Sequence, residues 1–260
     1  MNTPRPTPTP VTAVDLDHPV GIIAIGHSGL TGEGTGAQND PQYSASWATG
    51  TLPAVNSIYL RMVAAIPATE GHVANTAANG AQAFALASQA DQALATVPAP
   101  ALAIIQTVDN DIQCDGSNVA SVGQFLADAL ARIHDASPNT KILVVGQLGR
   151  PSVEYIKMLV AREPTAKLFL TWDDECSFYD GGGILREEAV QQLSDVIDSY
   201  EAENARVCAD VPNCSTDGGL RKRWTDKIEY FSPDWSHFNV SGQKAEAEFT
   251  WPVVENILGL

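Results

Sequence analysis

The chain has 260 residues, 44% hydrophobic and 18% charged, and fifteen Lys and Arg against thirty-one Asp and Glu give a formal charge of −16. This composition fits one substantial packed domain and excludes a disordered polymer. The acidic balance repels a phosphate backbone or an anionic membrane, so nucleic acid is excluded as an expected partner, and no apolar run is long enough to span a bilayer.

Residues 1–17, with Thr3-Pro4-Arg5-Pro6-Thr7-Pro8-Thr9-Pro10, read as an extended Pro/Thr-rich segment, and residues 18–260 as one domain. The segment lacks the apolar core of a signal peptide. Stalks of this kind often follow a cleaved signal or a lipoprotein anchor, so the natural precursor is expected to be exported. Next, Gly21-Ile22-Ile23-Ala24-Ile25 forms a buried strand that runs into Gly26-His27-Ser28-Gly29-Leu30-Thr31-Gly32. A strand ending in a glycine-flanked serine leaves a hydroxyl at the carboxyl edge of a sheet, where open α/β folds place ligands. Ser28 is therefore a candidate nucleophile. Adjacent residues at a strand end point to opposite sides, so the His27 ring is expected to diverge from that hydroxyl.

Residues 31–51 are Gly-rich and irregular and are expected to wall the serine, with Trp47 as a packing anchor. Helical spacing follows at 57–66, a short strand at 72–75, and an Ala-rich helix at 81–97 that carries Phe84, Leu86 and Leu94 and ends at Pro98. Strands at 102–107 and 141–146 lack alternation, as expected when both faces are covered, and a helix spans 119–134 between them. Pro151 at a first helical turn opens another helix through Leu159 and Val160. The segment 168–183 is irregular and aromatic and reads equally as a pocket wall or a surface flap, and its Asp173-Asp174-Glu175 lacks the spacing of a calcium loop. A long helix at 184–206, a short strand at 207–211 and a last helix from Ser241, bent or broken at Pro252, complete the chain. Alternating buried strands and helices predict a parallel sheet covered on both faces.

Cys114, Cys176, Cys208 and Cys214 are even in number and lack metal-binding spacing, which favours disulfides, with three pairings open. Cys208 and Cys214 bracket a short loop with a proline turn and are expected to pair, which leaves Cys114 for Cys176.

Near the far end lies Ser232-Pro233-Asp234-Trp235-Ser236-His237-Phe238-Asn239. A serine hydroxyl needs a base to take its proton, and the base needs an acceptor on its other nitrogen, so His237 and Asp234 suit those roles. A helix-capping Asp beside a surface His is the plainer reading of that pair. Two further motifs lie between: Asn75-Thr76-Ala77-Ala78-Asn79-Gly80-Ala81 and Val108-Asp109-Asn110-Asp111.

From Gly21 to the C-terminus these four blocks, in this order, resemble those of the SGNH (GDSL-like) hydrolase family. His27 and Val108 depart from the Asp and Gly the family usually carries there, which concerns local loop shape and subfamily. The resemblance implies a three-layer α/β/α sandwich with a flavodoxin-like parallel sheet. It implies Ser28, His237 and Asp234 as a catalytic triad, and Gly80 and Asn110 joining the Ser28 amide as an oxyanion hole. It further implies a carboxylic ester substrate, as for an esterase or lipase, with no metal or organic cofactor. A monomer is expected. A carbohydrate O-deacetylase of the same fold and a non-catalytic exported surface- or carbohydrate-binding module are the competing readings. The α/β-hydrolase nucleophile elbow is set aside, because it requires Gly where Leu30 stands.

Overall fold

The computed structural model describes residues 15–36, 40–170 and 176–260. Most of the Pro/Thr-rich segment, and the Asp173-Asp174-Glu175 triplet, lie outside them. Five strands, β1 (Ile22–Gly26), β2 (Val73–Asn75), β3 (Leu102–Gln106), β4 (Lys141–Val145) and β5 (Cys214–Thr216), form one parallel sheet in the order β2-β1-β3-β4-β5. This is the flavodoxin-like order, with its switch point between β1 and β3. The helices are α1 (Ile58–Ala65), α2 (Leu86–Thr96), α3 (Val119–Ala136), α4 (Val153–Arg162), α5 (Ala166–Phe169), α6 (Glu187–Ala209) and α7 (Val240–Leu258).

Because alternate strand residues face opposite sides, the unbroken apolar strands supply two cores. On one face Ile23, Ile25, Ile105 and Val144 pack under Leu86, Leu126, Leu130 and Tyr200 from α2, α3 and α6. On the other Ile22, Ala24, Ile104 and Leu143 meet Ile58 and Met62 of α1, Trp47, and Ala247 and Val254 of α7. The result is a three-layer sandwich. The wall formed by α4, the end of the 168–183 segment and the start of α6 has a smaller cluster of its own, in which Ile156 packs on Phe178, Tyr179 and Val190.

Four sequence expectations are corrected. The strand expected at 207–211 is the end of α6, where Val207 and Cys208 are buried on the helix, and β5 begins only after the left-handed Asn213 (φ 62°). Pro151 precedes α4 rather than opening it, since Ser152 is the cap and its hydroxyl accepts the Tyr155 N–H at 3.2 Å. Pro252 lies inside α7 without ending it, as both flanking stretches pack on the sheet. Phe84 sits in a 3₁₀ turn ahead of α2, 63% exposed, off the apolar stripe it was expected to join.

Both expected disulfides are present, Cys208–Cys214 with Cα atoms 5.4 Å apart and Cys114–Cys176 at 5.5 Å. Among the described residues no helix is long and apolar enough to cross a membrane.

Candidate active site

β1 ends at Gly26, whose φ of 142° and close approach to β3 admit no side chain, since a Cβ would lie 1.8 Å from the Gln106 carbonyl oxygen. Gln89 of α2 clasps the same residue, accepting the Gly26 N–H at 2.7 Å and donating to its carbonyl at 3.0 Å. The chain then enters a 3₁₀ turn, Ser28–Leu30, in which the Trp47 indole N–H donates to the Gly29 carbonyl at 3.0 Å. The His27 ring accepts the Gly29 N–H at 3.1 Å. It lines the same cavity as Ser28. Burial holds the His27 imidazole below its ordinary pKa, in its neutral form.

Opposite stands the loop before α7. Phe231 and Phe238 form an isolated antiparallel bridge, and the Ser232 N–H donates to the His237 carbonyl at 2.8 Å. Asn239 caps α7 by accepting the Ser241 and Gly242 N–H groups at 2.9 and 3.1 Å, and its amide donates to the Glu229 and Phe231 carbonyls at 2.8 and 3.0 Å. One side chain therefore joins helix and loop. Asp234 Oδ1 accepts the backbone N–H groups of Ser236 and His237, both at 2.9 Å, and Oδ2 lies 2.9 Å from His237 Nδ1. His237 Nε2 lies 2.9 Å from Ser28 Oγ. With Nδ1 protonated and donating to the carboxylate, Nε2 is left to accept the serine hydroxyl. Burial pushes the Asp234 carboxyl up, but the hydrogen bonds from His237, Ser232 and Ser236 outweigh it and hold the group below the ordinary Asp value.

The structure thus brings Ser28, His237 and Asp234 into one hydrogen-bonded line. Gly80 and Asn110 do not line the cavity. Asn110 donates one amide hydrogen to the Ala81 carbonyl at 3.0 Å, and Gln82 donates to the Asn110 carbonyl at 2.9 Å. Asp111 completes this staple by accepting the Ala83 N–H at 2.9 Å.

Sequence reasoning missed Gln89, Asp111 and Glu33. Glu33 is buried between two glycines, with Oε2 3.2 Å from His237 Nε2. An acid between glycines that follows so soon after the serine was the available signal.

The cavity of about 330 Å³ beside Ser28 runs along Leu148, Tyr155, Ile156, Phe178, Phe231 and Trp235. Of the two readings of 168–183, its described ends fit the wall, since Leu170 and Phe178 line the cavity and Cys176 is bonded to Cys114. Asp226 adds a carboxylate to this lining, which burial pushes up to about 6 against the hydrogen bond from the Trp224 indole.

No family model and no curated protein matches the sequence. Solved structures do. The chain is similar to the extracellular lipase of Streptomyces rimosus over 90% of its own length and 99% of the lipase, with 17% identity and a TM-score of 0.52. It is similar to phospholipase A1 of Streptomyces albidoflavus over 92% of its length and 99% of that chain, with 14% identity and a TM-score of 0.55. The chain has the SGNH hydrolase fold. That SGNH sandwich also covers 97% of this chain and 66% of the acetyl xylan esterase Est2A from the rumen bacterium Butyrivibrio proteoclasticus, with 16% identity and a TM-score of 0.51.

Proposed function

We propose that the protein is a serine-dependent carboxylic ester hydrolase whose catalytic domain spans 18–260. The observation that carries this reading is the line from Asp234 through His237 to Ser28 Oγ, each step 2.9 Å, beside a cavity lined by both apolar and polar side chains. Ser28 Oγ attacks the ester carbonyl as its proton passes to His237 Nε2, and Asp234 holds the tautomer and balances the imidazolium. The tetrahedral intermediate expels the alcohol, which takes the Nε2 proton. Water then adds to the acyl-enzyme, giving its proton to Nε2, and the carboxylic acid leaves as Ser28 regains a proton. The Ser28 backbone amide meets the developing oxyanion, and the family resemblance assigns its other two donors to the Gly80 amide and the Asn110 side chain, which stand outside the cavity lining.

The aliphatic and aromatic lining supports an acyl chain longer than acetyl, hence an esterase or lipase-like enzyme rather than a carbohydrate deacetylase. Two disulfides support an exported protein. The test is hydrolysis of p-nitrophenyl esters from acetyl to long acyl chains, with Ser28→Ala beside the native protein. Turnover that rises beyond acetyl and vanishes in the variant is expected. Equal turnover in both proteins removes Ser28 from the reaction, and a profile confined to acetyl favours the deacetylase.

A further inference from the structure

Glu33 is a charged group at the reacting atoms to which the reaction above gives no part. It is 7% exposed, lines the cavity, and holds Oε2 3.2 Å from the same His237 nitrogen that faces Ser28 Oγ at 2.9 Å. The backbone is shaped to bring it there. Thr31 Oγ1 accepts the Glu33 N–H at 3.3 Å. Gly34, at φ 86°, packs so tightly on the histidine's loop that a Cβ would lie 2.8 Å from the His237 Cβ and 3.0 Å from the Phe238 carbonyl oxygen. A side chain at 34 would push the turn off that loop.

Nε2 carries either a lone pair or a proton. As a lone pair it accepts the Ser28 hydroxyl, and an ionised Glu33 beside it has no hydrogen to accept. A proton held between Nε2 and Oε2, on whichever atom, leaves nothing to receive the serine proton. We infer that Glu33 is a positioning residue that shares the Nε2 proton of His237 and thereby sets the pH above which Ser28 is activated, an inference that rests on the ester-hydrolase reading. After attack the same carboxylate holds the Nε2 proton near the leaving oxygen.

The other groups facing this pair are few. Asp234 takes Nδ1, and Asp234 and Asp40 act on Glu33 through space. His27, with Asp109 at 4.0 Å, acts on the ring from the nucleophile's side, and Arg221 behind it is paired with Glu246. Burial pushes the Glu33 carboxyl above the ordinary Glu value, while His237 pulls it down.

The test compares pH profiles of kcat/KM for the native protein, Glu33→Gln and Glu33→Asp. An opposite charge this close moves a titration by ~1–3 units. The acid limb of Glu33→Gln is therefore expected to move down by about one unit, so that one unit below the native inflection it keeps about fivefold more of its plateau rate. Glu33→Asp, with the charge retained on a shorter arm, is expected to stay nearer the native limb. The NMR titration of the His237 ring in the full chain supplies a readout that needs no turnover, and its midpoint should also fall in Glu33→Gln. A folded Glu33→Gln protein with both limb and midpoint unmoved overturns the inference. A moved midpoint in a protein that hydrolyses no ester upholds the shared proton and overturns the hydrolase reading instead.

Discussion

The two sides of the candidate site are held by different means. Ser28 inherits its place from the sheet: Gly26 lies in register with Gln106, Gln89 closes on its peptide, and Trp47 holds the next turn from the opposite layer. His237 belongs to no strand or helix. Its place depends on two short side chains, Asp234 folding the loop onto itself and Asn239 fastening it to α7. The serine is placed by the core, while the histidine is placed by local hydrogen bonds. Disturbing the core should therefore cost stability, and disturbing the loop should cost chemistry in a protein that remains folded.

The largest effect should come from the reacting groups. Ser28→Ala and His237→Ala are each expected to lower ester turnover ~10⁴–10⁶-fold, and together little further, because the two act as a unit. Additive losses measured on the double variant would break the triad, and native-like circular dichroism is expected throughout. On the core side, Arg221 is fully buried beneath Trp47, its ring contact at 5.0 Å, and is paired with Glu246 while donating to the Gly146 carbonyl at 2.8 Å. Glu246→Ala leaves that charge unpaired and is expected to cost ~3–5 kcal/mol in urea unfolding. A loss well under 1 kcal/mol would show that Arg221 finds another partner. The smallest effect is expected between the two sides: Asn110→Ala should lower kcat ~10²-fold through the lost oxyanion donor. Unchanged kcat would leave Asn110 only the structural task visible in its bond to Ala81.

Legibility in the sequence followed the same division. The strands at 22–26, 102–106 and 141–145 were readable because burial on both faces imposes an unbroken apolar run, and Ser28 was readable because glycines mark where such a run stops. Asp234 and His237 were readable as a spacing. What could not be read were contacts across layers. Gln89 is one polar residue in an Ala-rich helix, yet its amide is the mate of a strand-end peptide far away in sequence. Glu33 stood between glycines soon after the serine, but an acid in a glycine-rich loop is ordinarily solvated, so the position alone did not read as buried. The Val207–Cys208 error arose because a β-branched residue in a buried helical turn has the composition of a strand.

The hydrogen bond between Ser28 and His237 spans 209 positions of sequence. Strands β1 to β4 and helices α2 and α3 all precede the His237 loop in the chain, so that layer can be synthesised with Ser28 in place before the histidine. The helix that carries the histidine's loop also supplies Ala247 and Val254 to the core over Ile22 and Ala24. Docking that helix closes the hydrophobic layer and brings His237 to Ser28 in a single event, so a partly unfolded chain in which it is undocked holds the two side chains apart. The serine–histidine contact is in this sense completed only by the docking of α7.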